Sequence, residues 1–137
     1  MQECIRATGH ENVTAAHGST FEVTSDDYLT PAGDCILGIE ADRVPAEFDE
    51  AFVAACQRAD ATIVATLAAG RYTERIEGRG DPALTFGSER SLVCRTSGYV
   101  DDRTVAVGMD AAAGDIDRNL VGAVANGAAL RMTLDVY

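Results

Sequence analysis

Two histidines, a carboxylate and a thiol in the first quarter of the chain are the residues best suited by type to do chemistry. His10 and His17 are the only imidazoles, and imidazole changes charge near neutral pH and is the commonest metal ligand. Asp34 and Cys35 follow Gly33 at the entrance to the apolar stretch Ile36-Leu37-Gly38-Ile39. A carboxylate there could orient a histidine or hold a metal, and a thiol could act as nucleophile or ligand only if a positive neighbour or a metal lowered its pKa. If His10, His17, Asp34 and Cys35 converge, they offer the nitrogen, oxygen and sulfur donors that suit zinc or another divalent metal, and with it hydrolytic chemistry. The plainer reading makes His10 a turn residue, His17 a hydrogen-bonded half-buried histidine, Asp34 a turn-closing side chain and Cys35 a small core residue.

The arginines offer a different chemistry. Residues 71–103 hold six arginines and six acids, whereas the rest of the chain holds five arginines and 16 acids. Arg71, Arg75 and Arg79 share parity along one expected strand, so they project from one face. With Arg95 and Arg103 they would form a patch for an anionic small molecule or RNA, because a guanidinium binds phosphate through two parallel hydrogen bonds. Tyr72 and Tyr99 are the aromatics available for base stacking. The competing reading is a solvated face on which these arginines pair with Glu74, Glu77 and Glu89.

Period-2 alternation dominates the chain and predicts strands at 3–8, up to 24, 35–40, 61–68, 71–78, 82–87, 91–97, 103–108 and 130–136. Two helices interrupt them. The first begins at Pro45 and carries Phe48, Phe52, Ala55, Cys56 and Ala59 at helical spacing. The second begins near Asp110 and ends at Gly127, with Ile116, Leu120 and Val124 one turn apart. No internal repeat or linker is visible. The expectation is a single α+β domain over 1–137, β-rich, with a mainly antiparallel curled or barrel-like sheet covered by two helices.

Composition narrows the setting. At 137 residues and 47% hydrophobic the chain is large enough to bury a substantial core. It carries a net charge of -11, and all 11 basic residues are arginine. Molar salt shortens the screening length to about 3 Å, which permits such an acidic surface, so the acidity reports a salt-adapted, halophilic cell rather than a basic partner. No apolar run approaches a membrane span and the N-terminus has no leader pattern, so a cytoplasmic location is expected. Cysteines at 4, 35, 56 and 94 form no C-x-x-C pair and are expected to be reduced. Arg79-Gly80-Asp81 is most simply a turn, and Asp101-Asp102 is ordinary for so acidic a surface.

The stretches GHENVTAAHGSTFEVTSDDYLTPAGDCILGIEAD and LVCRTSGYVDDRTVAVGMDAAAGDIDRNL resemble an archaeal family known as domain of unknown function 371. The most specific residues are His10 with Asn12, His17, Thr20-x-Glu22, Gly33-Asp34-Cys35-Ile36 with Asp42, and Arg103. The resemblance implies an archaeal origin, a haloarchaeal-type member and a β-rich fold, and it supplies no activity. The favoured reading is a module that binds an anionic small molecule or RNA through the arginine-bearing strand face. The alternative is a small hydrolytic enzyme, metal-assisted or not, built on His10, His17 and Asp34.

Overall fold

Alternation of buried and exposed side chains sets the strands, as the last one illustrates: Leu130, Met132, Leu134 and Val136 are buried while Arg131 is exposed. The computed structural model describes residues 1–137. It contains β1 (Gln2–Ala7), β2 (Thr20–Thr24), β3 (Ile36–Gly38), α1 (Glu50–Cys56), β4 (Thr62–Ala69), β5 (Tyr72–Arg79), β6 (Ser91–Arg95), β7 (Thr104–Ala106), α2 (Arg118–Ala125) and β8 (Leu130–Val136), with a 3-10 turn before each helix. The first sheet has the order β1-β8-β4-β5 and is antiparallel throughout. The second has the order β3-β2-β6-β7, with a central antiparallel pair and a parallel strand on each side.

The two sheets curl toward each other around one core of 34 buried residues drawn from both sheets and both helices. Single bridges join their edges at Thr8–Ile39 and Arg79–Val107, so the corners are stitched without a continuous ladder that would close a barrel. The expected α+β class and mainly antiparallel, curled architecture are borne out. Phe48, Phe52 and Phe86 meet with ring centroids 5.7 to 6.4 Å apart, Phe52 standing edge-on to each of the other two, as aromatic quadrupoles favour.

Several local expectations are corrected. Residues 82–87 do not form a strand, because Asp81 closes a turn onto the Ala83 amide and Phe86 sits at φ 52°, a left-handed conformation that no strand contains. The strand before Thr24 is regular only from Thr20. Pro45 opens a 3-10 turn, and the α-helix begins after Asp49, whose side chain caps the Ala51 amide at 2.8 Å. The second helix is likewise capped by Asp117, not Asp110; the Asp110 carboxylate accepts instead from the Glu77 amide. Gly127 does end that helix, at φ 96°.

The chain also contains a repeat that its sequence hides. The order strand, strand, strand, 3-10 turn, helix, strand runs from β1 to β4 and again from β5 to β8. Individual hydrogen bonds repeat with it. Asp42 Oδ1 accepts from the Arg6 amide at 2.8 Å as Asp110 Oδ1 accepts from the Glu77 amide at 3.0 Å. Glu3 Oε2 accepts from the Asp49 amide at 2.8 Å as Glu74 Oε2 accepts from the Asp117 amide at 2.7 Å. The halves interlock: a Cβ on Gly9 would stand 2.3 Å from the Val124 carbonyl oxygen, and one on Gly80 would stand 2.0 Å from that of Cys56. Each half's first strand thus leads into the helix end of the other half, and only glycine admits so close an approach.

Candidate functional site

Four of the residues that carried the family resemblance, Thr20, Glu22, Cys35 and Arg103, meet on the outer face of the second sheet. Thr20 and Glu22 alternate outward along β2, and Cys35 and Arg103 occupy equivalent positions immediately before β3 and β7. The Cys35 thiol donates to Glu22 Oε1 at 3.5 Å. Arg103 lies 3.9 Å from the same carboxylate and 3.1 Å from Asp101, which also takes Arg95 at 2.9 Å. Arg95 in turn donates to Thr104 Oγ1 and lies over the Tyr99 ring, 4.9 Å from its centroid.

Two guanidinium groups against two carboxylates leave this network neutral and internally satisfied. Burial alone would raise the Asp101 carboxyl, but the Arg103 hydrogen bonds and the charges of Arg103 and Arg95 outweigh it and hold the group at about 2. Burial, then the Glu22 charge, push the Cys35 thiol up to about 11. Cys35 is therefore a neutral thiol, the opposite of an activated nucleophile. No surface depression is lined by these residues.

The histidines serve the backbone. His17 Nδ1 accepts from the Ser19 and Thr20 amides, each at 3.2 Å. Its counterpart in the second half, Ser88, does the same with its hydroxyl toward Arg90 and Ser91. His10 Nδ1 accepts from the Asn12 amide at 2.9 Å. A neutral imidazole whose Nδ1 accepts carries its proton on Nε2, and so has no lone pair left for a metal. The His17 amide donates to the Asp34 carbonyl, which makes those two residues neighbours. His10 lines a depression at the C-terminal end of α2, whereas the His17 carbonyl receives Gly114 ahead of that helix. The eight residues of α2 put about 12 Å between those two places. No three histidine, cysteine or carboxylate side chains assemble a metal-binding cluster.

The arginine stripe on β5 does share one exposed face, as its parity required. Arg75 pairs with Glu77 at 3.3 Å and Arg79 with Asp81 at 3.6 Å. Arg71, in the hairpin turn after Gly70, leans on the Tyr72 ring, 5.4 Å from its centroid. Arg43 and Arg90 pair with Glu3 and Asp26, while Arg58 and Arg118 donate to backbone carbonyls. Only Arg6, Arg71 and Arg131 make neither an ion pair nor a side-chain hydrogen bond. All three belong to one end of the first sheet's outer face. Arg6 and Arg131 are direct cross-strand partners on β1 and β8, and with Gly70, the residue before Arg71, they line a depression of about 410 Å³ floored by Ala68, Ala69 and Ala129.

Arg6 and Arg131 escape sequence reading because they stand at opposite ends of the chain. The one available signal was alternation, which marks Arg131 as outward on β8. Across its length the fold is a duplicated, curled α+β unit with a neutral polar network on one sheet and an unpaired arginine cluster on the other. The chain belongs to the family described as domain of unknown function 371, whose model matches residues 5–137. It is 38% identical over 121 residues to the uncharacterised protein MJ0206 of Methanocaldococcus jannaschii, covering 88% of this chain and 89% of that protein. No helix is long and apolar enough to cross a membrane.

Proposed function

We propose that this chain is a single α+β domain that binds an anionic ligand on the outer face of its first sheet, with Arg6, Arg131 and Arg71 as the recognition residues. One observation carries the reading: in a protein of net charge -11, two arginines without an acceptor, Arg6 and Arg131, line one depression, and the third, Arg71, follows its lining residue Gly70 in sequence. Two like charges directly opposite on neighbouring strands cost stability unless a counter-charge sits between them. The depression is within the range of small-molecule sites. The acidic, lysine-free composition favours the cytoplasm of a salt-adapted cell, and stability that rises with potassium chloride would bear on that directly.

The test is to purify the wild type and Arg6→Glu/Arg131→Glu in parallel from the same cells in molar potassium chloride, then identify small molecules released on denaturation by mass spectrometry. An anionic compound recovered near stoichiometry from the wild type and missing from the charge-reversed protein supports the reading. Identical extracts from the two would count against it.

A further inference from the structure

Resting on the anion-binding reading, we infer that the ligand at Arg6 and Arg131 is a small phosphomonoester rather than a carboxylate or a nucleic acid. Charge comes first. Arg6 and Arg131 face each other across adjacent strands, and the carboxylate nearest in the fold to the Arg6 backbone, Asp42, uses its Oδ1 on the Arg6 amide and does not pair with the guanidinium. The pair therefore presents two positive charges with no ion-pair partner. A phosphomonoester carries close to two negative charges at neutral pH and three acceptor oxygens, enough for two guanidinium forks. A carboxylate brings one charge and two oxygens.

Shape comes second. Alanines 68, 69 and 129 with Gly70 make a floor without long side chains beside the arginines, leaving space of about 410 Å³ for the organic part of a small molecule. A polymer is poorly served. Along the same outward face Asp135 stands four residues beyond Arg131 on β8, about 13 Å away, and Glu77 lies in the same cross-strand row as Asp135 and Val64. Phosphates running over the sheet would meet those carboxylates. The exposed aromatics Tyr28 and Tyr99 follow β2 and β6 of the other sheet, Tyr137 lies past the far end of β8, and Tyr72, at the near end, is partly buried against the core and does not line the depression, so no exposed ring stands beside the arginine pair to stack a base.

The pair related to Arg6–Arg131 by the repeat is Glu77–Val64, in which Glu77 shares the Arg6 backbone hydrogen bond to an aspartate but neither residue is positive. The arginines are thus a property of this one corner and not of the repeated frame.

The experiment is an NMR titration of the arginine Nε–H signals in constant-ionic-strength potassium chloride, with glycerol 2-phosphate, inorganic phosphate, glutarate and a ten-nucleotide oligothymidylate as separate probes. Arg131→Gln and Arg58→Gln are the test and control variants. The inference expects saturable shifts at Arg6 and Arg131 with both phosphate probes, weakened at least tenfold in Arg131→Gln and unchanged in Arg58→Gln. Glutarate binding as tightly as glycerol 2-phosphate would overturn the phosphomonoester assignment while leaving an anion site. Tightest binding by the oligonucleotide would overturn the small-molecule assignment. No saturable shift with any probe would overturn the anion-binding reading itself.

Discussion

Arg6 on β1 stands directly across from Arg131 on β8, and no carboxylate pairs with either guanidinium. Such a like-charge pair costs about 0.2–1 kcal/mol on a sheet. Of the other nine arginines all but Arg71 find acids or carbonyls, so leaving these two facing each other is a local departure from the pattern of the whole surface. Departures of that kind are expected at functional or strained sites.

The interlocked glycines give a direct test of the duplicated frame. Gly80→Ala forces a Cβ to within 2.0 Å of the Cys56 carbonyl oxygen, and it should destabilise the protein by about 3 kcal/mol. Gly122→Ala, on α2 with nothing within 4 Å of the new carbon, should stabilise by about 0.5–1 kcal/mol through helix propensity. Urea denaturation in molar potassium chloride compares the two; equal effects of the same sign would refute the packing described for Gly80.

Acid sensitivity should trace in part to Asp101. Its folded pKa of about 2 lies below the unfolded value of roughly 3.9. The stabilisation it supplies is complete above pH 4 and is lost as pH falls through about 2, since the unfolded chain binds the proton first. Asp101→Asn should cost about 1–2 kcal/mol at pH 7, through the hydrogen bonds to Arg95 and Arg103. It should also flatten the wild type's loss of stability between pH 4 and 2. A variant that keeps the full wild-type slope there would assign the acid sensitivity to other groups.

Cys35 should be sluggish toward alkylating agents. With its thiol pushed up to about 11, iodoacetamide at pH 8 should modify it at least tenfold more slowly than glutathione, the thiolate deficit outweighing the higher intrinsic nucleophilicity of a basic thiol. Glu22→Gln removes a charge that raises this pKa and should accelerate the reaction severalfold, read by peptide mass spectrometry. Fast modification of Cys35 in the wild type would reopen its candidacy as a nucleophile.

The class of fold was legible because alternation is strong: β8 and the α2 stripe of Leu120 and Val124 are buried as their spacing requires. The repeat was not, because equivalent positions share roles and not identities. His17 and Ser88 both receive turn amides, one through an imidazole and the other through a hydroxyl, while Cys35 matches Arg103. The false strand at 82–87 had an alternating pattern that a left-handed Phe86 overrides. Arginine parity on β5 was readable, but a strand's own sequence does not reveal that Glu77 and Asp81 sit within reach of Arg75 and Arg79. Nor does it reveal that β1 and β8, distant in sequence, carry arginines to the same row.

Phosphate-dependent thermal stability tests the arginine site most directly. Phosphate stabilises proteins in general by exclusion from their surfaces, so the informative quantity is the difference between the wild type and Arg6→Gln/Arg131→Gln at matched ionic strength. Binding predicts an extra rise in the wild-type midpoint of about 4 °C at ten times the dissociation constant. Parallel curves for the two proteins would contradict an anion site at Arg6 and Arg131.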